Sequence, residues 1–196
     1  MSKDTEKDFL GELSSLEKGY LFGLFFGDGY KVYDKNSRHY HVEFYLNSVT
    51  DVEIIEFLCN LLKKIGLKPG VYKDKRYNCK RIRVYSKKLF NTIHKKITLS
   101  DRSSLFNYGF VSGLIDSEGY VNPIKSYISV VNTDRDMMVQ CKGFLDSEGI
   151  HCNLSKRTRS VKDKLDSYRM YISVSFKNTN NLSIKVRELQ DSGIET

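Results

Sequence analysis

Hydrophobic residues dominate two short runs of the chain, and each run ends in one acid followed by glycine. Residues 21–30 read LFGLFFGDGY and residues 111–120 read VSGLIDSEGY. Residues 14–17, SSLE, fit a helix-capping box, and Asp101 or Ser103 can cap a helix that leads into the second run. Each run therefore predicts a helix that ends beside its acid, with glycine just past it.

A strict alternation of apolar and polar residues follows each run. In residues 39–47 the apolar residues Tyr40, Val42, Phe44 and Leu46 fall on one strand face and the polar residues fall on the other. The second half offers residues 127–132 in the same place. A further alternating strand is predicted in each half, at residues 80–85 and 168–176.

Helical spacing of apolar residues returns between these strands. Residues 51–65 and 134–145 carry it, and Gly66 and Gly149 suit the ends of the two helices. The two apolar runs match at a constant offset of 90, and the elements after each run match in kind. The pattern therefore predicts an α+β fold made of two αββαββα units, with a first half at residues 1–98 and a second half at residues 99–196.

Charge points to a polyanionic partner. The chain has a formal net charge of +8, and unneutralised positive charge attracts phosphate. Residues 1–98 hold 19 Lys and Arg against 12 Asp and Glu, whereas residues 99–196 hold 13 against 12. A merely soluble basic protein is the alternative, but the uneven distribution predicts that the first half makes most of the phosphate contacts.

The remaining composition excludes several classes of protein. The four cysteines form no C-x-x-C pair and have no histidine at ligand spacing, which disfavours a zinc site and favours reduced thiols. The N-terminal segment has no apolar signal region, and no apolar run is long enough to cross a membrane. We therefore expect an intracellular protein of the cytoplasm, nucleoid or an organelle, with no membrane partner.

The acids at the two predicted helix ends suggest a cation site. Asp28 and Glu118 would face the negative end of their own helix macrodipoles, which costs about 0.3–1 kcal/mol each. Gly23 and Gly27, with Gly113 and Ser117 in the other helix, form a stripe of small residues that allows two helix backbones to approach closely. Two carboxylates that meet at carbonyl-rich helix ends form a site for a hard divalent cation, and such a cation assists phosphodiester hydrolysis.

The two motifs LFGLFFGDG and VSGLIDSEG resemble the paired signatures of a single-chain LAGLIDADG homing endonuclease. Their spacing and the surrounding order of elements extend the resemblance over nearly the whole chain. The resemblance implies a pseudo-twofold monomer in which the motif helices form the central interface and two curved antiparallel sheets form a saddle over double-stranded DNA. It also implies Mg²⁺-dependent hydrolysis of both strands across the minor groove, with short 3′ overhangs; Mn²⁺ and Ca²⁺ are substitutes for the same site.

The resemblance also implies roles for individual residues near the two acids. Asp28 and Glu118 would bind the metal, together with the backbone carbonyls of Gly27 and Ser117. Asn47 and Asn132 match positions where an amide lies near the attacking water, although each is equally suited to cap a turn. A basic assistant is harder to place, because the candidates Lys31, Lys95 and Lys96 also suit solvated surface positions. Asp116 departs from the family pattern, and a polar interface role is the preferred interpretation of it.

DNA recognition in such a saddle would come from the polar strand faces and the basic stretches before them, since arginine suits guanine edges. Phosphate contact or simple solvation is the alternative for any one residue. The candidates are Arg38, His39, His41, Glu43, Tyr45, Arg81, Arg83, Tyr85, Arg157, Arg159, Arg169 and Tyr171.

Two other functions are compatible with this fold. An RNA-binding intron maturase keeps the fold with or without DNA cleavage, and a DNA-binding regulator tolerates loss of the acids. The retention of an acid in both motifs favours the nuclease. Splicing blocks of the intein type are absent, so we expect a free-standing, intron-encoded enzyme.

Overall fold

The computed structural model of the chain describes residues 9–74, 77–122, 124–157, 166–173 and 183. The first half contains, in order, α1 (Ser15–Asp28), β1 (Gly29–Asp34), β2 (His39–Asn47), α2 (Val52–Lys64), β3 (Gly70–Asp74), β4 (Cys79–Tyr85) and α3 (Lys87–Thr92). A single 3-10 turn at Leu99–Asp101 precedes the second half. That half contains α4 (Ser104–Glu118), β5 (Gly119–Asn122), β6 (Tyr127–Asn132), α5 (Arg135–Ser147), β7 (Cys152–Arg157) and β8 (Ser167–Ser173).

The strands form two antiparallel sheets of four strands with the same topology. Their orders are β1-β2-β4-β3 and β5-β6-β8-β7. Helices cover the apolar face of each sheet, as shown by Val42, Phe44 and Leu46, which are at most 1% exposed. The α+β fold with two repeated units is confirmed. Residues 174–176 of the predicted last strand lie outside the described residues.

The ends of the helices follow the sequence closely, with one difference. Ser14 and Glu17 form the predicted capping box, and Ser103, rather than Asp101, caps α4 through the amide of Phe106. Gly29 has an ordinary extended backbone at φ −87°. Glycine is required at this position by close packing and not by backbone conformation, because a Cβ atom there would lie 2.3 Å from the carbonyl oxygen of Phe25.

Glycine after the two sheet-covering helices has the conformational role that the sequence predicts. Gly66 follows α2 at φ 75° and Gly149 follows α5 at φ 74°. This left-handed region is open to glycine at no steric cost. Both helices therefore turn sharply into the next strand.

The four cysteines carry free thiols. Cys141 and Cys152 are buried, whereas Cys59 and Cys79 are half-buried. Burial raises the pKa of Cys141 to about 12 and that of Cys152 to about 11. Thiols with such pKa values are poor nucleophiles and weak metal ligands at neutral pH.

No helix within the described part of the chain has the length and apolar character needed to cross a membrane.

Candidate active site and nucleic-acid interface

Helices α1 and α4 pack with their backbones in direct contact. A Cβ atom at Gly23 would lie 2.0 Å from the carbonyl oxygen of Phe110, and one at Gly113 would lie 2.2 Å from that of Tyr20. Only glycine fits at such positions, since real Cβ contacts are never this short. The small-residue stripe predicted from the sequence is therefore the central interface of the molecule.

The stripe extends one turn further than the sequence analysis recognised. A Cβ atom at Gly19 would lie 1.9 Å from the carbonyl oxygen of Phe106, and one at Gly109 would lie 2.0 Å from that of Leu16. These two glycines are also 90 residues apart and each precedes the known stripe by four residues. The repeat offset and the four-residue spacing together were the signal that could have found them.

The C-terminal ends of the two helices meet. A Cβ atom at Gly27 would lie 2.1 Å from the Ser117 hydroxyl oxygen and 2.9 Å from the Glu118 Cγ atom. Asp28 and Glu118 are the last residues of α1 and α4, and both are half-buried. Neither helix has a basic residue in its last turn. The structure thus brings both motif acids to one junction without a cation in the last turn of either helix.

Lys95 lies within electrostatic reach of both acids. The Lys95 side chain is exposed overall, but partial desolvation of its ammonium lowers its pKa, and the negative charges of Glu118 and Asp28 oppose part of that shift. The Lys95 Nζ atom lies 5.9 Å from the ring centroid of Phe25, in the last turn but one of α1. The charge of Lys95 is therefore coupled to both motif acids.

Lys31 is directed elsewhere. It pairs with Val42 in the β1–β2 register, and paired residues share the helix-covered face of the sheet. Its ammonium donates hydrogen bonds of 2.7 Å to the carbonyl oxygens of Phe90 and Ile93, at the end of α3. This geometry gives Lys31 a structural role as a cap of α3.

Asn47 and Asn132 both bond to the backbone of their own turns. The Asn47 side-chain oxygen accepts from the amides of Val49 and Thr50 at 2.9 and 3.2 Å. The Asn132 oxygen accepts from the amide of Asp134 at 2.9 Å. The turn-capping alternative accounts for these contacts, and each side-chain amide nitrogen is a further donor.

Asp116 lies in the interface between the two motif helices. It is fully buried, and its carboxylate accepts a hydrogen bond of 2.9 Å from the Tyr20 hydroxyl of the opposite helix. The bond fixes the register of α1 against α4 one turn before the acids meet. A polar interface contact, as preferred from the sequence, describes this residue.

The polar faces of the sheets hold the candidate nucleic-acid contacts. The register places Tyr45 opposite Arg81 and Glu43 opposite Arg83 in the first half, and Ser129 opposite Tyr171 in the second. The exposed candidates are Arg38, His39, Tyr45, Tyr85 and Arg157; Arg81, Arg83, Arg169 and Tyr171 are half-buried; His41 and Glu43 are buried. Arg159 lies outside the described residues.

Two arginines at equivalent positions have an unused nitrogen. Arg81 pairs with Tyr45, and Arg169 pairs with Val131. Tyr45 and Val131 each lie one residue beyond the strand position that pairs with the motif glycine, Gly29 or Gly119. The Nε atoms of both arginines are buried and have no hydrogen-bond partner within the described residues. Both side chains are only half-buried, so other parts of each guanidinium remain accessible on this face.

Aromatic residues that the sequence analysis did not select also line this surface. Tyr72 lies on the edge strand β3. Its ring centroid is 5.4 Å from the guanidinium carbon of Arg81 and 5.9 Å from that of Arg83. Tyr30 and Tyr120 directly follow the motif glycines and are 55% and 62% exposed. Their identical offset of 90 and their place after the motifs were visible in the sequence.

The donor set at the helix junction fits a hard divalent cation that shares its coordination with a ligand. Among the described residues, no group of three or more acidic, histidine or cysteine side chains is arranged to hold a metal. Two carboxylates and the carbonyl oxygens of two helix ends leave some of the six or more positions of such a cation open. Phosphate and water oxygens are the natural ligands for these positions.

Comparison with known proteins extends these observations. The sequence profile of the LAGLIDADG-like domain matches residues 15–98 and 106–180. The chain is 28% identical over 150 residues to the Methanocaldococcus jannaschii protein MJ0398, a match that covers 74% of this chain. The chain spans about half of the length of that relative, 54%.

Solved structures share the fold. The homing endonuclease I-DmoI in complex with DNA and Ca superposes with a TM-score of 0.63 at 20% identity, covering 90% of this chain and 98% of I-DmoI. Full-length WhiA from Thermatoga maritima superposes with a TM-score of 0.62 at 17% identity, covering 91% of this chain and 60% of WhiA. These identities show a common fold and leave the activity to be argued from the site. The two matched segments contain both motifs and cover most of the chain, which therefore belongs to the LAGLIDADG-like domain family.

Proposed function

We propose that this chain is a site-specific, metal-dependent endonuclease that hydrolyses both strands of double-stranded DNA as a monomer. The observation that carries the proposal is the junction of α1 and α4, where Gly27 faces Ser117 and Glu118. Asp28 and Glu118 come from different repeats, so one molecule supplies two acids to two strands. The proposed halves are residues 1–98 and 99–196.

The residues at this junction fit phosphodiester hydrolysis. Asp28 and Glu118, with the carbonyl oxygens of Gly27 and Ser117, would hold Mg²⁺, for which Mn²⁺ or Ca²⁺ could substitute. A cation bound there supplies stabilisation of the attacking and leaving oxygens. The carboxylates would also accept a hydrogen bond from an attacking water and thereby orient it. Lys95 places a positive charge beside the negative charge that develops on phosphate, and its lowered pKa makes proton donation to the leaving oxygen easier.

The sheets fit a DNA duplex rather than a small substrate. Arginine and tyrosine side chains are spread along the polar faces of both sheets, and the acid junction lies between the two units. Arginines of this kind supply phosphate contacts and guanine readout. The homing endonuclease I-DmoI, which shares this fold, is known in complex with DNA and Ca, and this supports the proposal.

The first test is cleavage of DNA that contains the joined flanking sequences of the gene. We expect purified protein with Mg²⁺ to make a double-strand break in this DNA, and Asp28→Asn and Glu118→Gln each to reduce the break at least about 100-fold. Binding, measured in Ca²⁺, should stay within a few-fold of the unsubstituted protein. Glu53→Gln, which removes an exposed carboxylate from α2, is the matched control and should cut normally.

Two results would contradict the proposal. Binding without cleavage in either Mg²⁺ or Mn²⁺ would exclude the nuclease, and tight binding to the intron transcript instead would favour the maturase alternative. Normal cutting by Asp28→Asn or Glu118→Gln would show that other residues hold the cation.

A further inference from the structure

We infer that Glu43 is a positioning residue that aims the Arg83 guanidinium at one base pair, and that Glu43 itself does not contact DNA. The inference rests on the proposed function, because it needs a duplex on the polar face of the first sheet. It separates two residues that the sequence analysis grouped together as contacts. It also explains the presence of a carboxylate on the polar face of the first sheet, which is proposed to bind a polyanion.

Glu43 is unavailable to an incoming base. It is 3% exposed, and both of its oxygens are occupied: one accepts from the Arg83 Nε–H, and the other accepts from the Tyr45 hydroxyl at 2.5 Å. Burial would raise the pKa of Glu43, but hydrogen bonds from Tyr45 and Arg83 and the charges of Arg83 and Arg81 outweigh burial and lower it. Glu43 is thus held as a carboxylate, and its charge is directed inward at Arg83.

The contacts of Arg83 leave a defined part of its guanidinium free. Its Nε–H bonds to Glu43, and its Nη1 group donates to the Tyr85 hydroxyl at 3.1 Å. The rings of Tyr72 and Tyr85 lie 5.9 and 5.8 Å from the guanidinium carbon. A guanidinium has five N–H donors, so three have no partner among the described residues, one on Nη1 and two on Nη2. These donors form the end-on fork that bonds guanine O6 and N7 together.

The second half has no carboxylate–guanidinium pair at the position equivalent to Glu43 and Arg83. Tyr30 pairs with Glu43 in the first sheet, and Tyr120 pairs with Ser129 in the second. Ser129 in turn pairs with Tyr171, where the first sheet has Arg83. A serine and a tyrosine therefore replace the carboxylate and the guanidinium. The inference predicts a guanine requirement in one half-site without a symmetric partner in the other.

The test measures base preference position by position. The purified full chain, in Ca²⁺, selects sequences from a library of randomised duplexes, and each substituted protein is then compared on the selected site and its single-base variants. We expect Arg83→Ala to lose about 10-fold or more of the preference for guanine at one base pair. Glu43→Gln should lose several-fold at the same pair, with the same salt dependence of binding. Ser129→Ala is the matched control and should leave that pair unchanged.

Tyr45→Phe gives a second measurement that leaves Arg83 untouched. It removes the hydroxyl donor to Glu43 and keeps the ring, so we expect a smaller loss of guanine preference at the same base pair. This variant tests the positioning role of Glu43 if Glu43→Gln does not fold. If Glu43→Gln loses base preference at a different base pair, Glu43 itself reads a base. If Glu43→Gln weakens binding equally at every base pair, Glu43 only supports the structure. If the unsubstituted protein selects no sequence, the DNA-binding part of the proposed function fails as well, whereas selection that Glu43→Gln leaves unaltered overturns this inference alone.

Discussion

At the scale of the residue, the site is a balance of three charges. Asp28 and Glu118 bring two negative charges to helix ends that are already negative. Lys95 follows α3 near the end of the first half and is coupled to both acids. In the proposed function, two carboxylates at two negative helix ends attract a divalent cation. Of the two other basic candidates, Lys31 contributes to the fold of the first half instead.

Replacing Lys95 tests its assigned part in the reaction. Lys95→Met keeps the length of the aliphatic chain and removes the ammonium, so charge that develops on phosphate loses a favourable neighbour. We expect single-turnover cleavage to slow about 100-fold, while the dissociation constant in Ca²⁺ changes little. Lys96→Met, at the next and also exposed residue, is the control. Equal rates for both variants would remove Lys95 from the mechanism.

The pH dependence of stability reports on Glu43. Its pKa in the folded chain lies below the ordinary value of 4.5, so the unfolded chain binds its proton first as pH falls. The stabilising contribution of the carboxylate is therefore complete above about pH 4.5 and is lost as pH falls through the lower folded value. The difference in unfolding free energy between the unsubstituted protein and Glu43→Gln should shrink over that range in denaturant titrations. A difference independent of pH would contradict the ion pair with Arg83.

At the scale of the element, the two motif helices act as one unit. Residues 19–26 of α1 and residues 109–116 of α4 are buried without interruption, so neither helix has a solvent-facing side along this length. Their contact is made by backbone, because glycines face carbonyl oxygens across the interface. A backbone contact cannot be adjusted by rotating a side chain. The distance between the two acids is thus set by residues two turns away.

Two glycine substitutions separate close packing from helix propensity. Gly23→Ala places a methyl group against the carbonyl oxygen of Phe110, and we expect a loss of unfolding free energy of about 3 kcal/mol or more. Gly143 lies in α5, and a Cβ atom added there would have no atom of the described residues within 4 Å, so we expect Gly143→Ala to gain about 0.4–1 kcal/mol. Thermal and urea unfolding measure both. A neutral Gly23→Ala would show that α1 and α4 are further apart than described.

The sequence predicted elements better than it predicted side-chain partners. Periodicity and capping residues determined the helices and strands, because those signals are local, and the offset of 90 related one half to the other. The partner of Lys31 lies 59 residues away in α3, and the burial of Glu43 depends on Arg83 of another strand. Such contacts depend on register and on sheet curvature, which no local pattern contains. The choice among the lysines therefore had to come from the structure.

At the scale of the whole molecule, the repeat is symmetric in topology and asymmetric in charge. Both sheets have the same strand order, yet residues 1–98 carry nearly all of the excess positive charge. The turns that end the first hairpin of each half show the same difference. Lys35 and Arg38 are exposed in the first turn, and Lys125 is exposed in the second. A pseudo-twofold molecule with this asymmetry would hold one half-site more through phosphates than the other.

Salt dependence measures that asymmetry directly. Each phosphate contact that a basic residue makes contributes about 0.9 to the slope of log K against log salt concentration, because counterions are released. If Lys35 and Arg38 both contact phosphates, their joint replacement by Gln should reduce the slope by about 1.8, while Lys125→Gln should reduce it by about 0.9 at most. Binding of the selected duplex in Ca²⁺ at several KCl concentrations gives both slopes. A larger effect from Lys125 would place the phosphate contacts mainly in the second half, and net charge would then be a poor guide to where this fold holds DNA.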